Sequence, residues 1–339
     1  QGRWASEDVS EIVFDGGDGD DALTVNYAAS GGFFAQLVTF HGGGQAPRTK
    51  VGDQLVLVGG PFASVTHTFL NATDGNVAID GTTRIVYTGL EPITDNLNPA
   101  DRVFTFTGGT ETIELRDANG ANMTIDSTLG ESVTFPTPTG SLTIHAGTGD
   151  DLVRIWSVDR SFGGSLTING DEGADSVEIR TDITFDPDKN LTVNVDDTVV
   201  IFTEVNLITS GTGAVSVMGG SLTMQNNSSL ESSTSVIVTA DEIYVALVGK
   251  TWINAGTGTA TLQPLTAGTA IDLGGADRPG TLGLPDAELD GVVAGTLNVG
   301  NESSGPITVT ANITRPAATI MNLTSGGAID FATGSLNTA

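Results

Sequence analysis

The segment SLTIHAGTGDDLVRI, Ser141 to Ile155, set over SLTINGDEGADSVEI, Ser165 to Ile179, keeps eight of fifteen positions at an offset of 24 residues. Each copy reads strand, Gly/Asp turn, strand: Leu142 and Ile144 alternate with Thr143, the turn follows, and Val153 and Ile155 alternate with Arg154. A repeat this short cannot bury its apolar face alone, so it has to stack on a neighbour of the same kind. A period in the low twenties is one turn of a parallel β-solenoid. The expected core from the two copies is Leu142, Ile144, Val153, Ile155, Leu166, Ile168, Val177 and Ile179.

The pattern continues at a drifting spacing through Asn190 to Phe202, Gly213 to Met224, Ser235 to Leu247, Gly295 to Asn301, Pro306 to Thr314 and Thr319 to Phe331. Upstream, DQLVLVGG, NVAIDGTTRIVYTGL and DRVFTFTGGTETIELRD carry the same short alternations. Composition agrees: 45 Gly among 339 residues, with Thr, Ser, Asn and Asp abundant, favour turns and strands over helix. The expected fold class is therefore all-β, one continuous stack with irregular loops and almost no helix. A single helical turn is expected through PDAEL, between Gly274 and Leu289, where Pro279 and Pro285 interrupt strand pairing. Gly274 to Leu289 is one candidate seam and Glu91 to Pro99 another, but neither has the composition of a flexible linker, so the continuous stack is preferred. The expected divisions are an N-terminal β segment over residues 1–95, repeat-bearing solenoid coils over 96–209 and further coils over 210–339.

Charge narrows the choice of partner. Forty-one acidic residues against 13 basic ones give a formal charge of −28. Such a field repels nucleic acid and anionic membranes, and no apolar run is long enough to insert in a bilayer. Self-association, other surface proteins and polysaccharide remain as partners. The absence of cysteine rules out a disulfide framework and thiolate metal sites, and suits an exported protein held by backbone ladders. The chain begins at Gln1 and ends in strand-like text, which reads as a processed segment or a piece of something longer.

The acidic turns raise the question of calcium. Gly16 to Thr24, GGDGDDALT, fits G-G-x-G-x-D-x-U-x throughout. The turns at Ala146 to Arg154 and Gly170 to Glu178 fit less fully, with Ala146 and Asp171 in place of Gly. Glycine lets a backbone bend so that oxygen ligands converge on a hard cation. Asp18, Asp20 and Asp21 form one candidate set; Asp150, Asp151 and Asp175, one solenoid turn apart at a spacing of about 5 Å, form another. The same letters also make ordinary solvated turns. Both readings stand at this point, with calcium the only cofactor the sequence suggests.

GTLNVGNESSGPITVTANIT followed by MNLTSGGAIDF, within Thr259 to Ala339, resembles the repeats of filamentous haemagglutinin-like secreted proteins. GGDGDDALT resembles the nonapeptide of RTX-type calcium-binding proteins, although here the matches are isolated rather than consecutive. RIVYTGLEPITDNL and SLTIHAGTGDD look like text from very large repetitive bacterial surface proteins. The resemblance implies a right-handed parallel β-helix, an extracellular or cell-surface address, and an adhesive or scaffolding role.

No nucleophile elbow, zincin, P-loop or dinucleotide motif occurs. The three histidines, His41, His67 and His145, stand apart in the sequence. One enzymatic alternative is polysaccharide lyase or hydrolase chemistry on clustered carboxylates, with Asp150, Asp151, Asp171, Glu172 and Asp175 as candidates. Three each of Trp, Tyr and Lys leave little lining for a sugar. The expected function is therefore non-enzymatic: a structural and adhesive segment that assembles end to end, with a calcium-responsive binding module as the alternative. No catalytic residue is assigned.

Overall fold

A computed structural model describes residues 9–28, 33–44, 52–246, 250–315 and 319–338; Gln1 and Ala339 lie outside them. The chain is all-β, and divides into two compact units, residues 1–162 with 171–173, and 163–170 with 174–339.

Among the described residues of the first unit twelve strands follow one another: β1 Glu11–Asp15, β2 Ala22–Asn26, β3 Leu37–His41, β4 Gln54–Phe69, β5 Gly75–Ile79, β6 Thr82–Thr88, β7 Ile93–Phe106, β8 Thr112–Asp117, β9 Asn122–Ser127, β10 Val133–Pro136, β11 Ser141–His145 and β12 Leu152–Ile155. Parallel ladders join β1 to β3 to β6, and β2 to β4 to β7 to β10. The far halves of β4 and β7 carry a third ladder onto β11, and β8 pairs in parallel with β12. Strands β4 and β7 are long, 16 and 14 residues, because each serves two ladders. The β4–β7 register shifts between Gly59 and Phe62, where the strand passes from one ladder to the other.

Two antiparallel excursions depart from the expected all-parallel stack. Strands β4, β5 and β6 form one meander and β8, β9 and β10 another. Each contains a tight Gly- or Asn-rich turn: Asp80 and Gly81, between β5 and β6, and Asn119 and Gly120, between β8 and β9, have positive φ, the geometry of short hairpin connections. Continuous strand occupies most of the candidate seam at Glu91 to Pro99. Strand β7 runs unbroken from Ile93 to Phe106, and Pro99 faces the irregular part of β4, where no ladder N–H is demanded of it.

The second unit is more regular. One parallel ladder carries Leu166, Leu191, Val215, Val236, Ala260, Leu297 and Met321 on successive strands. A second carries Val177, Val199, Leu222 and Ile243, and a third Ile183, Leu207, Leu230, Ile253 and Val292. A fourth sheet runs through Leu282, Ile271, Ile307 and Ile329. The same side-chain position thus stacks on its own equivalent, and a spacing of 24 residues recurs from Asn190 to Ala214, Thr239 to Gln263 and Asn298 to Asn322. Between Thr261 and Asn298 it stretches to 37. The added chain holds an extra strand, Thr281–Leu284, and a helical turn, Asp286–Leu289, at the expected PDAEL. All eight core residues named from the repeat are buried.

Candidate functional site

The corner turns explain the acidic residues. Asp21 stands just before β2, Asp53 before β4, Glu91 before β7 and Glu131 before β10. The ladder brings the four corners into succession: Gln54 N–H donates to Asp21 O at 2.7 Å, Glu91 N–H to Asp53 O at 2.8 Å, and Ile93 N–H to Ser132 O at 2.9 Å. A carboxylate beside such a corner can accept a backbone N–H that the ladder leaves over. Asp53 does so, taking Asp21 N–H at 2.6 Å. Asp151 repeats the arrangement, taking Glu111 N–H at 2.8 Å, while Leu152 N–H donates to Glu111 O at 3.0 Å. Asp53, Glu111, Glu131, Asp151 and Asp175 are all buried.

Glycine at the first turn position has a related cause. A Cβ on Gly16 would fall 2.5 Å from Gly42 O, and one on Gly170 would fall 2.4 Å from Asp175 Oδ2. The G…D spacing of the nonapeptide is thus what folds an acidic side chain back over its own turn. Asp18 is exposed and forms an isolated parallel bridge with Gly44; Asp20 is exposed, and Asp21 half-buried. Asp150 is exposed, and its N–H donates to Thr110 Oγ1 at 3.1 Å. Asp150 and Asp151 belong to the first unit and Asp175 to the second. Among the described residues, no three His, Asp or Glu side chains form a group able to hold a metal ion.

Of the residues weighed for sugar cleavage, Asp171 lies 3.1 Å from His145 Nδ1, both part-exposed. Glu172 bridges Thr148 through its backbone, with Gly149 N–H donating to Glu172 O at 2.9 Å. The structure pairs these groups with neighbours.

Three features escaped the sequence reading. His67, Asp95 and Arg102 form a wholly buried ion cluster in the first unit. His67 Nε2 lies 2.7 Å from Asp95 Oδ2, the Arg102 guanidinium donates to the same oxygen, and Leu97 N–H donates to Asp95 Oδ1 at 2.7 Å. Arg102 also lies over the Phe135 ring, 5.1 Å from its centroid. Burial holds the His67 imidazole below its ordinary value, against the pull of Asp95. Burial alone would raise Asp95, but Arg102 and His67 outweigh it and hold the carboxyl low.

The second feature is an outward-facing clamp. Trp156 Nε1 donates to Glu114 Oε1 at 2.9 Å, Arg116 donates to Glu114 Oε2 at 2.7 Å, and the guanidinium covers the indole at 4.8 Å. In the second unit Arg180 binds Glu178 at 3.0 Å and covers Phe202 at 3.8 Å. Glu-x-Arg with an aromatic immediately after a later strand was the available signal.

The third is a pocket of about 330 Å³ in the first unit, lined in part by Glu91, Pro92, Asp126, Ser127, Thr128 and Glu131. Glu131 is 1% exposed and its Oε1 has no hydrogen-bond partner. Burial, with the charges of Glu91, Asp126 and Asp74, pushes its carboxyl up to about 9. The signal for these corners was an acidic residue two positions before an apolar alternation: Asp53 before Leu55 and Leu57, Glu111 before Ile113 and Leu115, Glu131 before Val133 and Phe135.

Comparison with known protein families, with curated proteins and with solved structures finds no significant match to this chain.

Proposed function

We propose that this chain is an extracellular structural and adhesive segment, a right-handed parallel β-helix whose work is to span distance and present its sides to other surface molecules. The observation that carries the reading is the stack of parallel ladders in the second unit, in which the same apolar position lies on its own equivalent from Leu166 to Met321. Ile320, at the ladder position of Thr296, is exposed to 64%. A strand that presents exposed apolar side chains is a template for pairing with another chain. Asp53 and Asp151 support the same reading, since each accepts a backbone N–H at its corner.

The test is the state of the purified chain from micromolar to millimolar concentration, by light scattering and electron microscopy. Elongated assemblies that grow with concentration, and that disappear in Ile320→Lys with the melting curve kept, agree with end-to-end pairing. A dispersed monomer throughout the range would remove self-assembly from the proposal.

A further inference from the structure

The pocket around Glu131 is not used by the stacking function. Glu131 is among the residues that line it, its buried Oε1 has no hydrogen-bond partner, and the neighbouring Tyr87 hydroxyl is likewise buried without one. A buried polar group left unsatisfied destabilises a fold, so one kept beside a pocket invites a ligand of complementary charge. Glu91 and Asp126 line the same space, Ser127, Thr128 and Ser132 add hydroxyl acceptors, and Ala72 and Pro92 supply apolar wall. No basic residue lines it.

We propose that this pocket binds a primary ammonium group carried on an aliphatic stem, the chemistry shared by a lysine side chain of a partner protein and by a free diamine. The ammonium donates to Glu131, with Glu91 and Asp126 supplying field, and the methylenes lie along Pro92 and Ala72. A metal ion fits less well: among the described residues no three carboxylates converge tightly enough to share one, and the space is far larger than an ion.

The binding carries a proton signature. With its carboxyl raised by burial first, and then by Glu91, Asp126 and Asp74, Glu131 is neutral at pH 7, and the Tyr87 phenol beside it is also neutral. Pairing with an ammonium requires the carboxylate, so the carboxyl proton leaves to buffer as the ligand enters. Affinity therefore rises from pH 6 to 9.

The experiment is titration calorimetry of the whole chain with cadaverine and, separately, with Nα-acetyl-lysine methylamide, in phosphate and in Tris buffer. Nε-acetyl-lysine and calcium chloride serve as comparison ligands. The expected result is binding of one or both amines, heats that differ between buffers by the release of close to one proton, no binding of the acetylated form, and a loss of about tenfold or more in Glu131→Gln. Binding of cadaverine alone assigns the pocket to a free amine; binding of the lysine amide, strengthened in a lysine-bearing peptide, assigns it to a partner's side chain. Glu91→Gln should weaken binding several-fold and Glu302→Gln, in the other unit, should leave it unchanged. Silence of both amines to tens of millimolar, equal binding by Glu131→Gln, or displacement of the amine by millimolar calcium would overturn the assignment.

Discussion

Replacing Arg102 by Met separates the electrostatic role of the buried cluster from its packing role. Methionine keeps much of the apolar stem and its contact with Phe135, but removes the cation that shares Asp95 Oδ2 with His67. Removing one partner of a buried pair leaves the other charge without compensation, at a cost of about 3–5 kcal/mol. For a unit of this size that is a fall of roughly 6–20 °C in Tm. The loss should depend on pH. Once Arg102 is gone, the repulsion it exerts on a protonated His67 is gone too, and Asp95 pulls the imidazole pKa up. A histidine whose folded pKa rises adds stability below that pKa and loses it as pH rises through it, so the variant should be closer to wild type at pH 5.5 than at pH 8. Urea unfolding followed by circular dichroism at the two pH values measures both effects. The double variant Asp95→Asn/Arg102→Met should be less destabilised than the sum of the two singles, because it leaves no orphan charge. Additive costs, or a pH-independent loss below 1 kcal/mol for Arg102→Met, would refute the account.

Glu131→Gln removes a group whose folded pKa lies near 9 against an ordinary 4.5. Its contribution is full below about 4.5 and fades as pH rises toward 9, by at most about 1.4 kcal/mol per unit; the variant should therefore gain on wild type between pH 5 and 9, and parallel stability curves would count against a raised carboxyl. Asp151→Ala leaves Glu111 N–H without its acceptor and should cost about 1–3 kcal/mol in unfolding experiments. If Asp151 serves the backbone and not an ion, wild-type Tm should be equal in millimolar calcium and in excess chelator, and a drop with chelator would restore the calcium reading. Leu222→Ala, in the middle of the second ladder of its unit, should lose about 2–5 kcal/mol through cavity formation, read by the same urea titration.

The parts of the fold that could be read in the sequence were those set by local periodicity. Leu142, Ile144, Val153 and Ile155 alternate with polar neighbours, and alternation at period two decides which face is buried whatever the strand pairs with. Pro285 ahead of Asp-Ala-Glu-Leu marked the helical turn for the same local reason. What alternation does not encode is the direction of the partner. NVAI and TTRIVYT carry the same signal as the ladder strands, yet they form an antiparallel meander, because a two-residue Asp80–Gly81 connection permits no parallel crossover.

The acidic residues show the same limit from the other side. Asp21, Asp151 and Asp175 drew notice through their glycines, while Asp53, Glu111 and Glu131, with the same relation to the strand that follows, were passed over because their turns match no metal-binding pattern. The shared cause is the corner, where a backbone N–H of the neighbouring rung needs an acceptor and the stack offers an inward-facing side chain. Asp53 and Asp151 are short enough for one oxygen to take that N–H, at 2.6 and 2.8 Å. Glu131 takes no such bond, because Glu91 N–H on the neighbouring rung is given to Asp53 O at 2.8 Å, and its Oε1 is left without a partner beside the pocket. On this view the N–H left over at the corner decides whether a carboxylate braces the ladder or is available to a ligand. Glu131→Asp, one methylene shorter, should then gain no ladder bond while it lowers amine binding, and a variant that kept full amine affinity would show that the reach of the Glu131 carboxyl does not matter to the pocket.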